Sequence, residues 1–372
     1  MSRVLRCSGY DLVKTDIARA QGCFLYDAQG KRTLDLEAGV WCAALGHNHP
    51  RVHAAIRAQL DAVAHLAYRY SAEVVEQAAQ AVLGTLPFPE GQCLFLSSGS
   101  EAVEYSVQAT WCISRQPLLL TLADAYLAAF GSAGRKNLQE WYLFDWAACA
   151  ECPHTERCDP GCSHLAAVPW SAIGGFVFEP GSSGGLVRFP PGQLVAALAR
   201  RVQARGGLVV VDEVTTGLGR TGKWYGYQHY DLAPDMVALG KGLGNGYPVS
   251  AVAMRGEMAA RLMKTEFRYA QSHQNDPLSC AVAQAVIAVL REEGLVARSA
   301  ATGAHLHSAL EGLAARHAQI ADVRGRGLMI AVAFGPETPV IELYHALLEQ
   351  GFLAGCKPAA NLLRFYPPLI LN

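Results

Sequence analysis

Two residues of complementary chemistry end two apolar runs: Asp212 follows Val209, Val210 and Val211, and Lys241 comes two positions after Leu239. Short unbroken apolar runs of this kind suit strands covered on both faces, and in a parallel sheet ligands gather at the carboxyl ends of the strands. Asp212 and Lys241 can therefore face one crevice. A lysine amine can form a Schiff base with an aldehyde, and a buried carboxylate can keep a pyridine nitrogen protonated so that the ring acts as an electron sink. The plainer reading is an Asp–Lys ion pair at a strand edge.

A second motif, QCLFLSSGSEAVE from Gln92 to Glu104, runs from an apolar strand through small polar residues into a helix. Unpaired amides at a helix start make a cradle for a phosphate, Gly99 lets the main chain approach closely, and the Ser98 and Ser100 hydroxyls add donors. Alternatively, Ser98 and Glu101 form a capping box. A phosphorylated pyridine aldehyde would use this motif together with Asp212 and Lys241.

The elements that must position these residues alternate along the chain. Gly22 to Leu36 reads as a hairpin turning at Asp27 to Lys31, and from Pro50 to about Leu86 the apolar spacing is helical. Short apolar runs at Cys93–Leu96, Leu118–Leu122, Phe176–Phe178, Leu208–Val211, Met236–Leu239 and Ser250–Met254 then alternate with helical stretches. That alternation predicts an α/β fold, a mainly parallel sheet wrapped by helices. A long helix is expected from a cap at Asp276 to Gly294, followed by a helix to about His317, a strand around Leu328–Phe334, a helix over Pro339–Gln350 and a last run at Leu362–Ile370. We expect a large domain over 50–290 and a small α+β domain built from both termini, 1–49 and 291–372.

The 372 residues, 51% hydrophobic and 17% charged, suit a large buried core. A net charge of -1 gives no electrostatic case for nucleic acid or an anionic membrane surface. No apolar run approaches the roughly 20 residues of a membrane span, and the opening residues lack the apolar core of a signal peptide. With 11 scattered cysteines, a reducing cytoplasm is the expected location.

Taken in chain order, GCFLYDAQGKRTLDLEAG, LGHNHP, SSGSEAVE, FEP, DEVTTGLGRTG and PDMVALGKGLGNGYP resemble the class III aminotransferases, pyridoxal-phosphate (PLP) enzymes of fold type I. The similarity extends from about residue 10 to the last residue. It implies that Lys241 is the Schiff-base lysine and then shuttles a proton between two carbons, that Asp212 pairs with the ring nitrogen, and that Val214 packs on one ring face. Gly99 and Ser100 match the family's phosphate turn, Tyr126 the aromatic that stacks on the other ring face, and Glu179 a glutamate near the active site. Leu127 stands where a histidine is usual, and Thr215 where many members carry a glutamine that reaches the ring hydroxyl. Ser272 matches a threonine sent across a dimer interface to the partner's phosphate, which implies a homodimer with shared sites. Arg364 matches an arginine that receives a substrate carboxylate, and Val40, Trp41, Tyr68 and Tyr70 fall in segments that often line the substrate pocket. Ala128, Ala129 and Phe130, and later Ser183, Gly184 and Gly185, replace an arginine and a glutamate of the dicarboxylate-using members. The implied reaction is ping-pong transamination between an amine or amino acid and an oxo acid or aldehyde. Decarboxylation, racemisation or amino-group migration on the same fold, and a PLP-binding protein without turnover, are the alternatives.

The family pattern leaves Cys149, Cys152, Cys158 and Cys162 unexplained, in CAECPHTERCDPGC with His154 and His164 beside them. Four cysteines spaced C-x2-C-x5-C-x3-C can wrap a tetrahedral zinc ion in a structural role. Unligated thiols in a loop, or a disulfide, are the other readings.

Overall fold

A computed structural model of the chain describes residues 3–5, 12–154, 156–158, 161–182 and 184–372. Its central sheet has seven strands: β4 (Gln92–Leu96), β5 (Leu118–Leu122), β6 (Trp141–Phe144), β7 (Ile173–Phe178), β8 (Leu208–Asp212), β9 (Met236–Leu239) and β10 (Ser250–Met254), in the order β4-β10-β9-β8-β7-β5-β6. The pairs β9–β8, β8–β7, β7–β5 and β5–β6 are parallel, whereas β10 is antiparallel to both β9 and β4. Strand β4 thus points the same way as β9 and β8, which puts the residues after β4, β5, β7, β8 and β9 along one edge of the sheet.

Every residue of β7 to β10 is buried. Neighbours along β8 serve opposite faces: Val209 and Val211 pack into the core that holds the helix Gly192–Gln203, and Leu208 and Val210 into the core that holds the helix Gly99–Ser114. This double covering explains why the strands read as unbroken apolar runs. Each such side chain taken fully from water contributes about 1.5–3 kcal/mol. A charge is tolerated only where the strand leaves the layer, at Asp212.

Strands β1 (Ile17–Gln21), β2 (Phe24–Asp27) and β3 (Arg32–Asp35) form the expected hairpin and one further strand, and their sheet is completed by β13 (Phe352–Leu353), parallel to β3. A third sheet has the order β11-β12-β15-β14, built from β11 (Ile320–Arg326), β12 (Met329–Phe334), β14 (Gly355–Lys357) and β15 (Leu362–Phe365). Segments from both ends of the chain therefore share one sheet.

Several sequence expectations are adjusted. The helical spacing from Pro50 to Leu86 resolves into two helices, Pro50–Ala62 and Glu73–Leu83, because Val63 turns extended and ends the first. Asp276 does precede the helix Pro277–Glu292, but its side chain makes no cap bond and instead faces His65, 2.6 Å away. The last run stops as a strand at Phe365, since Pro367 and Pro368 have no N–H to continue a ladder. Strand β6, four residues at the sheet edge, has no counterpart among the expectations.

One local conformation bears on the site. Ala38, Gly39, Val40 and Trp41 all lie at positive φ (46°, 59°, 57° and 73°), a left-handed turn of a kind that costs a residue bearing a Cβ roughly 1–2 kcal/mol. Asp35, almost fully buried, holds the turn: its Oδ1 accepts from the Glu37 N–H at 2.9 Å and its Oδ2 from the Gly39 N–H at 2.8 Å. His47 Nε2 lies 2.8 Å from the same Oδ2. Such over-determination is what lets strained backbone persist.

Candidate active site

Along the shared sheet edge, Ser98 and Gly99 follow β4, Tyr126 follows β5, Glu179 follows β7, Asp212 ends β8 and Lys241 comes two residues after β9. The order expected from sequence thus becomes a cluster at the carboxyl ends of the strands, where open α/β sheets hold their ligands.

Lys241 sits at positive φ (41°) after Gly240, and its Nζ donates to Thr215 Oγ1 at 2.8 Å. Burial pushes this amine below its ordinary value, with the Asp212, Cys42 and Glu179 charges opposing the shift. Asp212 is buried, and its Oδ1 accepts the Val214 N–H at 3.0 Å. Burial, reinforced by the Glu179 charge, pushes the Asp212 carboxyl up. A cationic group set against Asp212 would reverse that shift, as one opposite charge close by favours the ionised carboxylate.

The turn after β4 is shaped by close packing. A Cβ on Gly99 would lie 2.4 Å from Val214 Cγ1, so no larger residue fits without displacing Val214. The capping box is present: Ser98 Oγ accepts the Glu101 N–H at 3.3 Å, and Glu101 Oε2 accepts the Ser98 N–H at 3.0 Å. Ser98 therefore commits its side chain to starting the helix. Ser100 Oγ accepts the Ala129 N–H at 3.0 Å, tying this turn to the segment after β5. In that segment Tyr126 is half exposed and its N–H donates to Glu179 Oε2 at 2.9 Å, while Leu127, at positive φ, is buried in the core.

The segments from the chain ends supply the remaining wall. Trp41 has the Lys241 ammonium 5.0 Å from its ring centre and the Arg364 guanidinium 5.1 Å from it. Arg364, on β15, lies 3.6 Å from Glu37 Oε1, which also accepts from Trp41 Nε1 at 3.4 Å. Glu37 is a site residue that sequence reasoning did not single out. Its carboxyl is raised by burial, with Arg364 pulling the other way. Val40, Tyr68 and Tyr70 are exposed, Ser272 is exposed on the loop before Asp276, and Ser183 lies outside the described residues.

The four clustered cysteines lie away from this edge, between β6 and β7. All four are free thiols, and with His154 they line one cavity of about 30 Å³. Burial raises Cys149 and Cys158, each further raised by its cysteine neighbours. Among the described residues, three potential metal-ligating atoms come within 4.8 Å of one another only at His65, His273 and Asp276. The sulfurs have not closed to the spacing of a filled metal site.

A family model of the class-III aminotransferases matches residues 7–118 and 149–372. The acetylornithine aminotransferase of Streptomyces coelicolor is 31% identical over 370 residues, covering 98% of this chain and 89% of that protein. The human mitochondrial alanine–glyoxylate aminotransferase 2 is 30% identical, covering 89% of this chain and 74% of its own length. Among solved structures, an amine transaminase from an uncultivated Pseudomonas species superposes with a TM-score of 0.85 at 26% identity, covering 100% of this chain and 95% of that one. An ornithine aminotransferase from Toxoplasma gondii gives 0.84 at 26% identity over 98% and 88%. The chain is a fold type I protein and belongs to the class III aminotransferases.

Proposed function

We propose that this aminotransferase moves an amino group from an amine or amino-acid donor to an oxo-acid or aldehyde acceptor, with Lys241 as the residue that carries the chemistry. PLP is the cofactor of the family, and the residues present fit it: a half-buried lysine bonded to Thr215, a buried carboxylate on the neighbouring strand, and a helix start where Gly99 leaves the main chain bare. Bound PLP supplies an aldehyde for the lysine and a ring that takes up the electron pair left when a C–H bond breaks.

The protein's own groups do the rest. Burial keeps more of Lys241 as the neutral, nucleophilic amine, and Thr215 Oγ1 aims its Nζ. With a donor amine in its place, Lys241 Nζ would act as the base that takes the proton from the donor carbon bearing the nitrogen and as the acid that gives it up on the far side of that nitrogen. Asp212 would hold the ring nitrogen protonated, Val214 and Tyr126 would cover the two ring faces, and the amides of Gly99 and Ser100 would hold the phosphate. Glu179 fixes the Tyr126 main chain. Arg364 would receive a substrate carboxylate, with Trp41 as an apolar wall beside Lys241.

Ser272, exposed on its loop, would reach the phosphate of the partner subunit, making the enzyme a homodimer with shared sites. No helix of the described residues is long and apolar enough to cross a membrane, and free thiols at every described cysteine suit the cytoplasm as its location. The four clustered cysteines stand outside the reaction, so a metal there would be structural. The relatives reported above are all aminotransferases by name, which lends nothing to decarboxylation, racemisation, amino-group migration or an inactive binding protein.

The observation that carries this reading is the half-buried Lys241 with its amine bonded to Thr215 beside the end of β8. A panel of amines and oxo acids, followed by the absorbance of the cofactor, tests it. Amine alone should convert the bound cofactor to its amino form, and an oxo acid should reverse the change. No shift with any donor, or an undiminished shift in Lys241→Ala, would overturn the reading.

A further inference from the structure

We propose that the cavity lined by Cys149, Cys152, Cys158 and Cys162 binds one Zn²⁺ ion, which staples the crossover between β6 and β7. That crossover spans residues 145–172, and among its described residues the regular structure is two three-residue turns of 3-10 helix and the four-residue helix Ser163–Ala166. Its hydrogen bonds are local turns, such as Cys152 N–H to the Cys149 carbonyl at 3.3 Å and Ala166 N–H to the Cys162 carbonyl at 2.9 Å. Trp146, Leu165 and Val168 anchor the segment in the main hydrophobic core, and Cys149, Cys158 and Cys162 pack against that core beside them.

The ligand set points to zinc. Four thiols are soft donors that favour zinc or iron–sulfur clusters over magnesium or calcium. A cavity of about 30 Å³ has room for a single ion and not for a cluster of several iron and sulfur atoms. Leu165 and Leu194 line the cavity on the core side, with Gln193 beside them. The surroundings also answer the charge. Four thiols bound to Zn²⁺ release four protons and leave a site of net charge −2. Cys158 also lines the neighbouring cavity with Arg157, Arg200, Arg201 and Arg205, a basic wall suited to that dianion. Binding would draw the sulfurs from the lining of one cavity into a tetrahedron, so that site formation and ordering of the crossover are one event.

The test is elemental analysis of the PLP-loaded enzyme, purified with neither chelator nor added metal. We expect about one zinc per chain, falling to under a tenth in Cys152→Ser/Cys162→Ser, with the cofactor absorbance kept and the melting temperature lowered. Zinc far below one equivalent, or iron with a broad visible absorbance, would overturn the proposal. So would zinc that survives the cysteine substitutions and is lost in His65→Ala/His273→Ala, the other place where potential ligands converge. Should the cysteine variant fail to fold, cobalt exchanged into the wild-type enzyme decides: an intense near-ultraviolet thiolate-to-cobalt band supports four-sulfur ligation, and its absence refutes it.

Discussion

Glu37 Oε1 lies 3.6 Å from the Arg364 guanidinium, and Trp41 stands against both. The cation suited to a substrate carboxylate is therefore already answered by an internal one. Arg364 Nε remains buried without a hydrogen-bond partner, so one edge of the guanidinium still has an unmet need. A substrate bearing a second carboxylate must displace Glu37, whereas an amine with an uncharged tail can leave the pair intact. Glu37→Gln should lower KM for dicarboxylate oxo acids about tenfold, the scale of one charge-assisted hydrogen bond, and leave KM for simple amines unchanged. Steady-state kinetics with the two substrate classes checks this; equal effects on both would show that Glu37 does not screen Arg364.

Gly99 and Val214 are in contact, and the contact is tight enough to predict coupling. Gly99→Ala puts a methyl 2.4 Å from Val214 Cγ1 and should weaken cofactor retention, seen as loss of bound-PLP absorbance on dialysis. Adding Val214→Ala makes room and should restore part of it, with an interaction of about 0.5–3 kcal/mol in the double-mutant cycle. Strict additivity would contradict the packing account.

Asp212→Asn keeps the size of the side chain and removes its charge. The variant should still fold and take up PLP, while kcat falls about 10²-fold or more, as for loss of one preorganised electrostatic contact. Near-wild-type turnover would mean that Asp212 does not support the ring.

His229 supplies a pH dependence. Burial, with the Arg326 and Lys223 charges adding to it, pushes its imidazole down from 6.5 to about 4. Between those values the unfolded chain binds a proton that the folded chain refuses, so stability rises with pH across that window and is lost as pH falls from about 6.5 towards 4. Denaturant midpoints measured from pH 4 to 7 should be flatter for His229→Gln than for the wild type. Parallel curves would place the acid sensitivity elsewhere.

Asp212 and Lys241 were legible in the sequence because strands buried on both faces leave unbroken apolar runs, and a charge that ends such a run stands out. The helix start at Ser98 was legible too, but not the use of its hydroxyl: a capping box and a phosphate turn need the same residue types, and only the Ser98–Glu101 bonds separate them. Glu37 could not be read at all. Its orientation depends on a left-handed turn that holds one glycine among four residues, and its partner Arg364 comes from the far end of the chain. No local pattern couples them. Strand β6 was missed because four aromatic and apolar residues are too few to show a period.

The pairing of β3 with β13 has a consequence for how the enzyme is made. Leu34 aligns with Phe352, so the N-terminal hairpin leaves the ribosome long before the strand that completes its sheet has been synthesised. Glu37 and the Trp41 turn follow directly on β3, and Arg364 follows β13. This wall of the site therefore assembles only once Arg364 has been synthesised, and until then the β3 edge that β13 will cover stays open.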